Sequence, residues 1–169
     1  GTLGFLTAGA NTVGAYLAGA VPNGNGQTAH QMLSAPLSAY IVLHAEPALD
    51  SAVGQSAVDT LKAAQFTVAL TPYMSAARDW ARVMLPIAPF TETSGTFVNA
   101  QGSVQSFKGT VPGFAQSRPG WKVLRVLGNL LNMPGFDEES SEAVRDTIVA
   151  SSFQDRLSNA IKGSLDTTI

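Results

Sequence analysis

The chain holds 169 residues, of which 45% are hydrophobic and 13% charged, and its net charge is −2. That length supports one ordinary domain with a real core and is too short for two large ones. Its ten Lys and Arg residues are scattered from Lys62 to Lys162, with no basic stripe to displace phosphate counterions, so a nucleic-acid partner is excluded.

In chain order, residues 3–7 read as a short buried strand, and Asn11 as the N-cap of a helix over 12–18. Pro22 to Gln27 is a turn-rich break, and Thr28 caps a short helix that ends before Pro36. Ala39 to Leu43 is a continuous apolar run of the kind buried on both faces of a parallel sheet. A helix follows from about Ser51 to Ala64, with Val53, Ala57, Leu61 and Ala64 on one face. Phe66 to Leu70 is the next strand, a helical turn spans 75–81, and Val83 to Leu85 is a strand stopped by Pro86. Strands alternating with helices predict an α/β fold with a Rossmann-like parallel sheet and flanking helices.

Beyond Pro89 the period changes. Residues 96–99 and 103–107 alternate around Ala100-Gln101-Gly102, which predicts a β-hairpin. Thr110 to Gly120 is an irregular connector. Residues 121–132 form an amphipathic helix with Trp121, Leu124, Leu127 and Leu131 inward and Lys122, Arg125, Asn129 and Asn132 outward, stopped by Pro134 and Gly135. Asp137, Glu138 and Glu139 suit the start of another helix, where negative charge complements the dipole. Phe153, Leu157 and Ile161 mark a last helix, and 163–169 is expected to fray. The division expected is a Rossmann-like portion over 1–110, then a connector and C-terminal helical segment over 111–169.

Charge is distributed unevenly. No Asp, Glu, Lys or Arg occurs before Glu46. An exposed surface normally carries charge, so residues 1–45 are expected to be covered by other protein. Gly9, Asn11, Gly14, Gly19 and Pro22 interrupt the most apolar region, so no direct membrane insertion is expected there. The chain begins at Gly1 without Met or a basic leader, as expected of a processed or excised piece of a longer protein. It has no cysteine, which removes thiolate iron–sulfur ligation and cysteine-type zinc sites from this piece.

Local motifs give no reaction. Gly24-Asn25-Gly26 lacks a preceding strand and the third glycine of a dinucleotide fingerprint, and there is no P-loop. His30 and His44 have no zinc-like spacing. His44 ends a strand, where open α/β sheets bind ligands, so it is either a site residue or a hydrogen-bonded structural one. Glu46 and Asp50 flank Pro47, either as a carboxylate pair or with Asp50 capping the next helix. Phe90 to Asn99 is the most unusual segment: hydroxyls, one carboxylate and Gly95 follow a strand closed by two prolines.

Leu85-Pro86, Phe90 through Asn99, Gly102, Val104-Gln105 and Arg118-Pro119-Gly120-Trp121 resemble the end of the second nucleotide-binding-like domain of molybdopterin oxidoreductases. The runs PIAPFTETSGTFVNAQG, SFKG and RPGWKVLRVLGNLL, with Gly9–Asn11 and Gly14–Pro22, are similar to the complex I branch, the G subunits of bacterial NADH–quinone oxidoreductases. The resemblance spans roughly residues 3–136 and is most specific over 90–131. It implies a parent that passes electrons from NADH to quinone, with iron–sulfur clusters on upstream domains. It further implies that the other domains and subunits of that complex are the partners, on the cytoplasmic side of the bacterial inner membrane.

In that branch the corresponding portion is a scaffold without molybdenum, so no catalytic residue, metal site or cofactor is expected in this piece. In active relatives the loop after the Leu-Pro strand helps bind the pterin–guanine dinucleotide, which makes Thr91, Glu92, Gly95, Thr96 and Asn99 the vestigial cofactor-loop candidates. The sequence departs from the family at Arg82, where an Asp is usual, and at Gln101 and Ser103, where Glu and Arg are usual. Losing that arginine removes a bidentate donor for phosphate. The alternatives are an active molybdopterin-guanine-dinucleotide domain of the formate-dehydrogenase type and a stand-alone nucleotide-binding module.

Overall fold

The structure, a computed structural model, describes residues 6–150. The helix expected to carry Phe153, Leu157 and Ile161, and the end at 163–169, lie outside the described residues. So does most of the strand expected over 3–7, and Leu6 and Thr7 form no strand.

Helices α1 (Thr12–Leu17) and α2 (Ala29–Ser34) precede strand β1 (Ala39–Leu43). Helices α3 (Pro47–Asp50) and α4 (Gln55–Ala63) lead to β2 (Phe66–Thr71), and α5 (Met74–Ala77) leads to β3 (Val83–Pro86). A 3-10 turn at Phe90–Glu92 is followed by β4 (Gly95–Val98), β5 (Val104–Phe107), α6 (Gly120–Leu130) and α7 (Ser141–Ala150). The first three strands form a parallel sheet in the order β1-β2-β3, and β4 and β5 form an antiparallel hairpin. The fold is mixed α/β, as the alternation of elements predicts.

Residues in register on neighbouring parallel strands point to the same side. One side carries Tyr40, Val42, Thr67 and Ala69, and α2, α4 and α5 cover it with Met32, Leu33, Val58, Leu61 and Ala77, joined by Trp80 of the turn after α5. Leu61 is 1% exposed, and burial of that degree contributes roughly 1.5–3 kcal/mol. Thr67 is buried with its polar group satisfied: its Oγ1 donates to the Trp80 carbonyl at 2.7 Å and accepts from Arg82 N–H at 3.2 Å.

The other side carries Ile41, Leu43, Phe66, Val68, Leu70, Val83 and Leu85. Here α6 covers only the C-terminal end, where Gly120 comes against Leu43 and Ile87. Ile41 stays 59% exposed and Phe66 49%. The strand expected to be buried on both faces is therefore buried on one, because among the described residues only α6 reaches the other side, and only at its C-terminal end. The uncharged N-terminal stretch behaves in the same way: of residues 6–45 only Leu17 and Tyr40 are buried.

Local differences have local causes. Thr28 accepts from the Gln31 N–H while the Gln31 side chain accepts from the Thr28 N–H, a full capping box on α2. Asp50 does not cap the helix after it. Its carboxylate accepts from the Glu46 N–H at 2.7 Å, closing the turn of α3 that Pro47 opens, and the single helix expected over 51–64 is shortened to α4, starting after Gly54. Asn11 stands at the N-cap position of α1 but makes no side-chain cap bond. Arg125, expected outward, turns toward α7: its Nε is buried and its guanidinium lies 4.0 Å from Glu139. Leu131, expected inward, is 61% exposed. The stripe of α6 is rotated because Phe136 packs on Gly128 and draws that side inward.

Candidate functional site

The segment after β3 is held by its own backbone. Ala88 N–H donates to the Arg118 carbonyl at 2.9 Å, so the connector returns beside the strand end. The expected loop residues then take up internal partners one by one. The Thr91 carbonyl accepts from Thr110 N–H at 2.7 Å. The Glu92 carboxylate accepts from Phe114 N–H at 2.8 Å. Gly95 faces the Phe107 ring so closely that a Cβ there would lie 2.5 Å from it. The Thr96 and Ser106 hydroxyls are 2.9 Å apart across the hairpin. Asn99 Oδ1 accepts from Gln101 N–H and Ser103 N–H at 3.0 and 2.9 Å, shaping the turn in which Gly102 takes φ 84°. Phe97 and Phe107 meet edge to face at 5.4 Å.

These residues do not converge on one cavity. Glu92 lines an open polar cleft of about 570 Å3, whose charged groups are Glu92, Glu139 and Glu142 against Lys108 and Lys122. Three carboxylates against two ammonium groups make a poor seat for a diphosphate, which needs an excess of cationic donors. The Glu142 carboxyl is held below its usual range by its own backbone N–H, the Ser141 hydroxyl, Lys108 and Arg145, so it stays charged. Gly95 and Thr96 line a separate, mostly apolar crevice of about 390 Å3. Thr91 and Asn99 line neither. Among the described residues no group of three or more His, Asp or Glu is placed to hold a metal ion.

The strand-end crevice is a second candidate place. His44 follows β1 with φ 53°, its N–H donating to the Leu70 carbonyl at 2.9 Å. Much of the residue is exposed, but its ring leans toward Gly120. Desolvation there lowers its pKa below the ordinary histidine value, and a hydrogen bond with the Ala88 backbone works the other way. The Asp50 carboxylate accepts from the Glu46 backbone N–H within their own turn, where it closes α3.

Sequence reasoning missed the role of Asn11. Its Oδ1 accepts from Val98 N–H at 2.8 Å and its Nδ2 donates to the Thr96 carbonyl at 3.5 Å, so the side-chain amide pairs with the edge of β4 as a further strand would. Gly14 permits this, since a Cβ there would overlap the Asn11 amide. No local pattern signals a contact across 87 residues.

A parallel three-stranded sheet with flanking helices, followed by an antiparallel hairpin and a proline-led helix, defines a mixed α/β protein. The chain belongs to the molybdopterin oxidoreductase family, whose sequence pattern matches residues 1–130. It is 40% identical over 53 residues to the mitochondrial NADH-ubiquinone oxidoreductase 78 kDa subunit of Candida albicans, covering 31% of this chain and 7% of that one. It is 38% identical over 52 residues to the NADH-ubiquinone oxidoreductase 75 kDa subunit of Reclinomonas americana, covering 31% and 8%. A formate dehydrogenase-like protein of Staphylococcus aureus is 28% identical over 92 residues, covering 52% of this chain and 9% of that one. The match thus spans less than a tenth of each relative.

Proposed function

We propose that this chain is part of the large peripheral-arm subunit of a respiratory NADH–quinone oxidoreductase, where it is a non-catalytic structural and docking layer. The observation that carries the reading is the apolar side of the parallel sheet that the described residues leave largely uncovered beyond its C-terminal end. Ile41, Leu43, Phe66 and Val83 are exposed there without a charged group among them, although parallel sheets ordinarily have both faces covered. The exposed Val126 and Leu130 on α6 add to the apolar surface. The similarity to two complex I subunits supports the same parent. On this reading the iron–sulfur clusters sit in upstream domains, the other domains and subunits of the complex are the partners, and the complex lies at the cytoplasmic side of the bacterial inner membrane. No described helix is long and apolar enough to cross a membrane.

Thr91, Glu92, Gly95, Thr96 and Asn99 are, in this view, a cofactor loop turned to structural use, because their polar groups bond within the chain. The second reading is a molybdopterin-guanine-dinucleotide domain of a formate-dehydrogenase-type enzyme, favoured by the longer match to the Staphylococcus aureus protein. Two substitutions in the parent subunit, Ile41→Lys and Phe66→Lys, test the docking layer. Assembly of the complex is expected to fail while the melting temperature of the chain alone changes by less than about 2 °C, as for surface changes. Normal assembly of the doubly substituted subunit would refute the reading.

A further inference from the structure

The turn between α1 and α2 carries chemistry of its own. Within Pro22-Asn23-Gly24-Asn25-Gly26, Asn23 and Asn25 are each followed by glycine, which is true of no other asparagine in the chain. An asparagine side-chain amide in that position can close on the next main-chain nitrogen, because glycine has no Cβ to block the approach. All five residues are exposed. Neither side-chain amide is hydrogen-bonded among the described residues.

The two sites differ in the state of the attacking nitrogen. Gly24 takes φ 57° while Asn25 stays out of the left-handed region, the pattern of a type II′ turn that starts at Asn23 and ends at Gly26. Gly26 N–H donates to the Asn23 carbonyl at 2.9 Å and closes that turn. Gly24 N–H has no partner among the described residues. The surroundings differ in the same sense. A Cβ on Gly24 would meet nothing within 4 Å, whereas one on Gly26 would lie 3.1 Å from the Asn23 nitrogen and carbonyl oxygen.

We infer that Asn23 is a site of spontaneous deamidation and that the turn holds Asn25 back. At Asn23 the Gly24 nitrogen gives its proton to hydroxide and attacks the side-chain amide carbon. The new C–N bond closes a succinimide ring, and the side-chain nitrogen leaves as ammonia with a proton from water. Water then opens the ring at either carbonyl, leaving aspartate or isoaspartate. Water is the one co-reactant, and nothing is oxidised or reduced. At Asn25 the same step must first break the Gly26 hydrogen bond, which slows it by about two- to tenfold. Either product puts a carboxylate into residues 1–45, which otherwise hold no charged side chain, and adds one negative charge to the net of −2. Isoaspartate also lengthens the main chain by a methylene, so the turn cannot close as before. None of this depends on the proposed parent.

Peptide mapping by mass spectrometry on the full chain, aged in mildly alkaline buffer, tests the assignment. A gain of one mass unit is expected at Asn23 about two to ten times faster than at Asn25. Both rates should fall in mildly acidic buffer, since the attacking nitrogen must lose its proton. In urea that unfolds the chain the turn is gone, and the two rates are expected to converge. Asn23→Gln, whose longer side chain would have to close a larger ring, should remove the fast reaction and leave the one at Asn25. Equal rates in the folded chain, or Asn25 reacting first, would overturn the assignment. So would an Asn23 that stays intact in the folded chain while it converts in urea.

Discussion

Replacing Gly14 by alanine tests the joint between α1 and the hairpin. On an ordinary exposed helix the change would stabilise by about 0.5–1 kcal/mol, since glycine is the poorer helix former. Here the new methyl group overlaps the Asn11 amide, which must leave β4. Val98, itself 5% exposed, then loses the acceptor at 2.8 Å on its N–H. An unpaired buried donor costs about 1–3 kcal/mol. Taking the middle of each range, the net expectation is a loss of about 1 kcal/mol, or a fall in melting temperature of about 2–4 °C for a chain of this size. Thermal unfolding by circular dichroism gives the first number, and exchange of the Val98 amide locates it. Asn11→Ala should cost about as much, and adding Gly14→Ala to it should cost nothing further, because the overlap has gone. Gly14→Ala with unchanged stability and a protected Val98 amide would refute the argument.

Three further outcomes follow from single contacts. Thr67→Val keeps the shape but strands the Trp80 carbonyl, and urea denaturation should show a loss of about 1–3 kcal/mol; an unchanged midpoint would contradict it. Glu92→Ala should free the Phe114 amide to exchange while leaving the β1-β2-β3 sheet protected, as expected if the carboxylate only clips the connector. His44 has a folded pKa below its unfolded value, so its stabilising effect is full above the unfolded value near 6.5 and is lost as pH falls toward the folded one. Stability of the parent chain should therefore decline more steeply below about pH 6.5 than that of His44→Asn, which tolerates the same positive φ; parallel pH curves would remove His44 from the account.

What the sequence disclosed was local. Runs such as Tyr40 to Leu43 and Phe66 to Leu70 mark strands by composition, and Thr28 with Gln31 spells out a helix start within four residues. A continuous apolar run does not tell one covered face from two, and among the described residues β1 has its full cover on one face only. Asp50 was misjudged because two turns competed for it, and the turn begun by Pro47 lay nearer. The Arg125 and Leu131 sides of α6 were exchanged because a helical wheel does not say where Phe136 will return to pack. The loop residues from Thr91 to Asn99 were legible as a family feature. That they bond within the chain depends in part on Phe114, Thr110 and Ser106, none of which the loop pattern names.

The central claim is that this layer contributes shape to an electron-transferring parent and holds no cofactor of its own. Molybdenum and pterin content per mole of the purified parent subunit measures it most directly. The account predicts both well below one-tenth of stoichiometric. One molybdenum and a matching amount of pterin released from each subunit would contradict it.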